Sequence, residues 1–222
     1  MTEPLATQLE AYRRDDLLVL RRLSESRGIA QIRAWTDEVP SHPEGPGAGY
    51  MVYGETSLTK PGRRRISRSE NFYARHAGSK ALFDGGKPLD AVSQLLGEPA
   101  VLFKDKVNFN TAGGDGFRPR PDQQAGWSVY ARLFVTALVS IDEATPENGG
   151  LELAAGHHRR GLIGEEWKPL TEANLSPVQF AAHPASPGDL VFFDSYVPTV
   201  GAEPLGRGPS RPLRDLQPPL RG

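Results

Sequence analysis

The second half of this chain alternates apolar and polar residues in short segments, and no other feature constrains the fold as strongly. These segments are rich in β-branched and aromatic residues, and they read VLFKDKVNF (101–109), SVYARLFVTALVSI (128–141), LELAA (151–155) and DLVFF (189–193). Alternation with a period of two is typical of strands that bury one face. The sequence therefore predicts a mainly antiparallel β-structure in the second half.

The first half has helical spacing instead. One helix is predicted to begin at Ser24 or Ser26, and a second helical stretch runs from about 70 to 96 with a break at Gly85–Gly86. The short apolar run Leu17–Leu20 fits either a first strand or the end of a helix. Together, the two halves predict an α+β, mainly β protein in which helices pack on one side of a double-sheet barrel.

The charge is nearly balanced. A formal net charge of -1 gives no electrostatic reason to expect nucleic acid or an anionic membrane as a partner. The basic segment PGRRRISR (61–68) is interpreted as a solvated surface loop rather than an anion-binding loop.

Length and composition exclude several further classes. With 222 residues, the chain suits one domain with a sizeable core. It has no cysteine, which excludes disulfides, zinc–thiolate sites and cysteine nucleophiles. No apolar run approaches the roughly 20 residues of a membrane span, and MTEPLATQLEAYRRDD lacks the apolar core of a signal peptide. We therefore expect a cytoplasmic protein; the oligomeric state stays open.

The segment from Gly113 to Trp127, GGDGFRPRPDQQAGW, lies between two predicted strands. It is predicted to be an ordered loop at a strand end, where functional side chains are common. Asp122 is its central carboxylate. The residues alone fit either a metal ligand or an Asx-turn residue beside prolines.

The same segment resembles a motif of the phytanoyl-CoA dioxygenase family, G-F-x-P-H-Q-D followed by Gln-Ala and an aromatic residue. Here the motif reads GFRPRPD (116–122) and then QAGW (124–127). The flanking segments LFKDKVNF, LVSIDEATPENGGLELAAGHHRRG and PGDLVFFDSYVP are also similar to the family, so that the resemblance covers roughly residues 10 to 198. Within the family, the chain is most similar to the (2-aminoethyl)phosphonate dioxygenase-like subgroup.

The resemblance implies a double-stranded β-helix (a jelly roll) with flanking N-terminal helices. It also implies a small-molecule substrate, dioxygen, and iron(II) held by two histidines and a carboxylate, which leaves positions for 2-oxoglutarate and dioxygen. Some residues match family positions that line the 2-oxoglutarate pocket or the cavity beside the iron: Lys104 or Lys106, Asn108, Gln124 and Trp127. The alternatives are an exposed strand face for the lysines and the core for Trp127.

Two of the three family iron positions depart from the motif. Asp122 keeps the carboxylate, but Arg120 stands at the first histidine position and Thr199 at the second. Arginine is always protonated and offers no lone pair to a metal, and a neutral threonine hydroxyl is a poor iron ligand. We therefore expect this chain to be impaired or inactive as a dioxygenase, with Asp122 as the surviving ligand.

None of the five histidines is a strong substitute ligand. His158 matches a family histidine that does not bind metal, and His157 beside it is expected to be exposed. His183 could lie near the barrel mouth, although a surface or turn position is the more common outcome. His42 and His76 lie in the helical half without a partner at metal-site spacing.

The tail after Pro198 departs from the family as well. TVGAEPLGRGPSRPLRDLQPPLRG lacks the alternation of a strand and the expected His-x-Ser and Pro-Asn-x-Ser motifs. Its residues can be encoded so that reading one nucleotide later yields Ser-Glu-Pro-Asn-Arg-Ser and, further on, Ala-Leu-Tyr-Val-Thr-Tyr-Asn-Pro. We therefore expect a frameshift near codon 198, an oxygenase-like domain over residues 1–198, an aberrant disordered tail over 199–222, and a barrel without its last strand.

Three functions follow from these observations. The first is an iron(II)- and 2-oxoglutarate-dependent dioxygenase that hydroxylates a small organic substrate, such as an organophosphonate or another anion, or the recent relic of such an enzyme. The second is a non-catalytic protein on the same fold that binds 2-oxoglutarate or another anion through Arg120. The third, an unrelated structural domain, is the weakest because it makes the order of motifs a coincidence.

Overall fold

The computed structural model describes residues 6–21, 26–39, 51–84, 87–110, 114, 117–201, 213–216 and 219–221, with backbone alone at 26–27, 74, 82, 213–216 and 219–221. Within these residues the helices are α1 (Ala6–Asp15), α2 (Ser26–Glu38), α3 (Phe72–Arg75), α4 (Ala77–Phe83), α5 (Lys87–Leu96) and α6 (Glu172–Leu175). None of the described helices has the length and apolar character to cross a membrane.

Thirteen strands are assigned in the described part of the chain. They are β1 (Leu17–Leu20), β2 (Met51–Thr56), β3 (Arg64–Glu70), β4 (Val101–Leu102), β5 (Lys106–Asn110), β6 (Phe117–Pro121), β7 (Phe134–Ser140), β8 (Leu151–Leu153), β9 (Ala181–Ala182), β10 (Leu190–Asp194), β11 (Pro198–Gly201), β12 (Leu213–Leu216) and β13 (Pro219–Arg221). Short 3₁₀ turns at Asp122–Ala125 and Trp127–Val129 follow β6 directly.

The strands form two antiparallel sheets. The larger has the order β1-β10-β7-β12-β5-β3-β2, and β13 pairs with both β7 and β4 at its side. The smaller has the order β6-β11-β8-β9. This arrangement is the predicted jelly roll, mainly β with few helices.

The centre of the large sheet is buried on both faces. In β7 every residue is buried, and alternate residues divide between two apolar clusters. Val135, Ala137 and Val139 join the cluster that contacts the helical layer, whereas Leu138 joins the cluster that reaches Leu153 of the small sheet. Because β7 and β10 lie between helices and a second sheet, their sequences are almost continuously apolar.

Several predicted elements differ in their bounds. Leu17–Leu20 is a strand, which settles the two alternatives. The segment 128–141 is a strand only from Phe134, because residues 127–129 form a 3₁₀ turn. The interpretation of 61–68 as a loop is wrong for its second part, since Arg64–Glu70 forms β3 and pairs with β2 and β5. The predicted loop around Asp122 is likewise partly strand, because Phe117–Pro121 pairs with β11.

The chain beyond Pro198 differs from the expectation of a missing last strand. Residues 199–201 belong to β11, which pairs with β6 and β8. The backbone of Leu213–Leu216 lies between β5 and β7 in the large sheet. Residues 202–212, 217–218 and 222, also part of the predicted disordered tail, lie outside the described residues. The barrel therefore has a strand where we expected none.

Asp194 at the end of β10 gives a testable pH dependence. Burial raises its pKa from 3.8 to about 6, although the carboxylate accepts a hydrogen bond from the amide of Tyr196. From pH about 4 to about 6 the unfolded chain ionises at this carboxyl while the folded chain keeps it protonated, so the folded state loses stability as pH rises. Above pH 6 the loss is complete, at about 3 kcal/mol.

The Asp194→Asn variant keeps an acceptor for the Tyr196 amide and cannot ionise. We therefore expect its free energy of unfolding near neutral pH to exceed that of the unaltered chain by up to about 3 kcal/mol, with a much smaller difference near pH 4. Urea unfolding at both pH values checks this, with Glu98→Gln as an exposed control. A constant difference across this pH range would contradict the assignment.

Candidate functional site

A cavity of about 530 Å³ lies against β3, β5 and β6 and the turn that follows β6. It contains all the pocket positions that the family resemblance implied, namely Lys104, Lys106, Asn108, Gln124 and Trp127. A smaller recess of about 30 Å³ shares Lys106, Asn108, Arg120 and Asp122 and extends to Thr199. The structure thus brings together residues that are far apart in the sequence.

The three family iron positions converge at the junction of β6 and β11. Thr199 is the direct strand partner of Arg120, and its hydroxyl donates a hydrogen bond of 3.1 Å to the Arg120 carbonyl. Asp122 begins the 3₁₀ turn directly after β6. All three line the same recess.

Asp122 is held by two neighbours. Thr136 of β7 donates a hydrogen bond of 2.8 Å to Asp122 Oδ2, and the Lys106 ammonium lies 3.9 Å from Asp122 Oδ1. The Asp122 side chain is 11% exposed. Asp122 therefore has a hydroxyl donor on one carboxylate oxygen and a lysine cation near the other.

The residues present do not fit an iron(II) ion. Arg120 has no lone pair to donate, and it adds a positive charge where a cation should bind. Across the described residues, no three His, Cys, Asp or Glu side chains cluster in a way that could hold a metal ion. Asp122 alone, beside Lys106, is too small a ligand set for the metal.

The described histidines lie away from the lining of this cavity. His157 is 8% exposed, so the expectation of an exposed His157 is wrong. His158 Nδ1 contacts Asp16 Oδ2 at the junction of α1 and β1. His183 is half-buried, and burial together with the charge of Arg21 lowers its pKa. His76 caps α4 through Nδ1, which accepts from the Ser79 amide; His42 lies outside the described residues.

The cavity lining is strongly basic. Six cationic side chains line it, against two carboxylates, Glu70 and Asp122: Arg68, Lys104, Lys106, Arg118, Arg120 and Lys168. Glu70 is already paired with Arg68 at 3.0 Å and Lys104 at 3.2 Å. Among the described residues, no carboxylate pairs with Arg118 or Arg120. Lys168 is paired with Glu165 at 2.6 Å, so the excess of positive charge rests mainly on Arg118 and Arg120. This excess favours an anionic ligand.

Arg68, Arg118 and Trp167 also line the cavity, and sequence reasoning did not select them. Arg68 lay in the segment interpreted as a surface loop, and that segment has no clear alternation that would have marked it as a strand. Trp167 comes from a turn that has no strand or helix pattern. Its side chain is 75% exposed at the cavity, so neither burial nor periodicity marked it.

Comparison with known proteins identifies the family. The family model for phytanoyl-CoA dioxygenase (PhyH) matches residues 12–199, and the chain therefore belongs to this family. The resemblance inferred from the motifs is thus confirmed.

Two curated relatives are named for organophosphonates. The chain is 38% identical to 2-aminoethylphosphonate dioxygenase from an uncultured bacterium, over 78% of this chain and 66% of the relative. It is 30% identical to methylphosphonate hydroxylase from Gimesia maris, over 86% of this chain and 72% of the relative. The chain therefore spans about two thirds of the length of the first of these relatives.

Solved structures share the fold at lower identity. EctD from S. alaskensis with 2-oxoglutarate and 5-hydroxyectoine superposes with a TM-score of 0.77 at 19% identity, covering 98% of this chain and 76% of that one. The epimerase SnoN, in complex with Fe³⁺, alpha ketoglutarate and nogalamycin RO, superposes with a TM-score of 0.75 at 16% identity, covering 97% of this chain and 82% of that one. At this identity the likeness establishes the fold.

Proposed function

We propose that this chain is an iron(II)- and 2-oxoglutarate-dependent dioxygenase in origin, that its cavity binds a small organic anion such as an organophosphonate, and that its hydroxylation step is impaired in the sequence as it stands. The observation that carries this proposal is the pairing of Arg120 with Thr199 at the histidine positions, beside an intact carboxylate and a basic cavity.

The anionic ligand is supported by charge. Arg118 and Arg120 have no carboxylate partner among the described residues, and Lys106 has only a distant one at 3.9 Å from Asp122. A phosphonate or a carboxylate can accept several charge-assisted hydrogen bonds from such groups. The names of the two curated relatives favour a phosphonate over other anions.

The proposed impairment of hydroxylation follows from the side chains at the family's iron positions. The family reaction needs iron(II) bound on one face by three side chains, with positions left for 2-oxoglutarate and dioxygen. Here Asp122 is the one family ligand that remains, and Arg120 and Lys106 already supply positive charge around it. These cations can attract the anionic ligand, but they cannot activate dioxygen.

Calorimetry in the presence of a chelator tests the anion site. We expect 2-oxoglutarate or 2-aminoethylphosphonate to bind without metal, and the Arg120→Ala variant to lose at least about tenfold in affinity, since a charge-assisted hydrogen bond contributes about 1.5–3 kcal/mol. Arg63→Ala, an exposed arginine in the turn before β3, is the control and should bind as the unaltered chain does. Equal affinity in Arg120→Ala would exclude Arg120 from the site.

A second candidate is a non-catalytic anion-binding protein, which Arg120 at a ligand position also favours. The two candidates differ in their response to iron. An oxygenase impaired only at its ligand positions should bind 2-oxoglutarate more tightly with iron(II) once Arg120 and Thr199 are both replaced by histidine, whereas a binding protein given the same two histidines should not. Titrating 2-oxoglutarate anaerobically with and without iron(II) separates them.

A further inference from the structure

The turn around Trp167 combines an unusual backbone with an exposed indole. Trp167 has φ 63, a left-handed conformation that a bulky side chain rarely adopts, and its side chain is 75% exposed. A non-glycine residue in this region is strained and persists only where its surroundings hold it. Neighbouring residues must therefore hold this turn in its conformation.

Gln124 fixes the turn. Its side-chain Nε2 donates to the backbone carbonyls of Glu165, at 3.3 Å, and of Lys168. Its backbone carbonyl accepts from the Trp167 amide at 2.9 Å. Gly126 supplies the space, because a Cβ there would lie 2.6 Å from the Trp167 ring. The residue that the family places in the pocket thus also sets the position of the indole.

The cavity lining combines two kinds of side chain. Its cations come from β3, the segment 104–106, β6 and Lys168, and its apolar side chains come from β6, the turn after β6 and the 167–175 segment, which carries Trp167 and Leu170. An anionic group fits the cations. A short organic chain or an ammonium group fits an indole face, by apolar contact or by cation–π attraction.

We propose that Trp167 contacts the organic end of the ligand and selects for anions that carry a short chain, and that Gln124 positions Trp167. This inference rests on the proposed anion site. The indole is too exposed to contribute much to the core, and its conformation is costly. Contact with a ligand accounts for both observations, because the turn holds the ring at the cavity before the ligand arrives.

Two probes separate the two ends of the ligand. 2-Aminoethylphosphonate carries a two-carbon chain that ends in an ammonium group, whereas methylphosphonate carries only a methyl group. Trp167→Gly, in which glycine adopts the same backbone without strain, should weaken 2-aminoethylphosphonate about fivefold and methylphosphonate by less than about twofold. Trp167→Phe should retain most of the preference. Tyr130→Ala removes an exposed aromatic side chain outside the cavity lining and serves as the control.

The positioning role of Gln124 is tested by a double-mutant cycle. Gln124→Ala should produce the same selective loss as Trp167→Gly, and adding it to Trp167→Gly should change the ratio of the two affinities no further. The melting temperature of Trp167→Gly should match that of the unaltered chain.

The binding measurements distinguish failure of the Trp167 inference from failure of the anion site. If both probes bind but lose affinity equally in Trp167→Gly, or if that variant melts well below the unaltered chain, the indole has a structural role and the inference is wrong, while the anion site stands. If neither probe binds the unaltered chain, the proposed anion site itself is wrong. Additive losses in the cycle would overturn the role given to Gln124.

Discussion

The Arg120→His, Thr199→His double variant is expected to bind cobalt(II) at least about a hundredfold more tightly than the unaltered chain. Residues 120 and 199 are direct partners on β6 and β11, and both line the recess that contains Asp122. Histidines at these positions would therefore complete two imidazoles and one carboxylate on a common surface. The change also removes the arginine charge, which repels a metal cation.

Cobalt(II) is the probe because its visible absorption reports coordination without turnover. Each single histidine variant should bind more weakly than the double variant, and adding Asp122→Asn to the double variant should return the affinity to that of the unaltered chain. His76→Ala in the double variant is the control, since His76 caps α4 and does not line the cavity. No cobalt spectrum in the double variant would show that the backbone arrangement is not that of a metal site.

The unaltered chain, given iron(II), ascorbate and 2-oxoglutarate, is expected to form no succinate above background. The physical reason is the same absence of lone-pair donors at 120 and 199. Clear succinate formation would mean that other side chains hold the iron and that the proposed impairment is wrong. Cobalt binding and succinate formation are independent readouts, so the arrangement of the site and its activity can fail separately.

Sequence reasoning located the strands best where burial on both faces enforces a local pattern. β7 and β10 are mostly apolar because each lies between helices and the second sheet. The strand predicted from residue 128 begins only at Phe134, because Val129, Tyr130 and Leu133 are apolar but 78%, 61% and 36% exposed. Apolar residues in this segment therefore do not indicate a buried strand. In β3 the opposite holds: the basic segment Arg64–Glu70 has no clear apolar alternation, and its Arg68 lines a polar cavity.

In the candidate site, likewise, some residues were predictable from a local motif and others depend on contacts between distant segments. Asp122 and the positions of Arg120 and Thr199 followed from an ordered motif, and strand pairing brings them together. Trp167 depends on a hydrogen-bond network centred on Gln124, a contact between residues 43 positions apart that no local pattern encodes. The charge excess also required the fold, since its six cations are drawn from four separate segments.

Removal of the residues after Gly201 is expected to lower the free energy of unfolding by at least about 4 kcal/mol. β12 fills the gap between β5 and β7, pairing with Val107 and Asn108 on one side and with Val139 and Ser140 on the other. Without it, buried backbone groups of both strands lose their partners in the middle of the large sheet, and each such group costs about 1–3 kcal/mol.

The reading-frame hypothesis predicts the opposite result, because a disordered tail can be removed without loss. Urea unfolding followed by circular dichroism compares the full chain with chains that end at Gly201 and at Leu216. The chain ending at Leu216 keeps β12 and, among the described residues, loses the pairing of β13 with β4 and β7, so its stability should be intermediate. If all three chains unfold at the same urea concentration, the backbone pairing of residues 213–216 contributes nothing to the free energy of unfolding. The sequence after Gly201 would then be an addition to a fold complete without it.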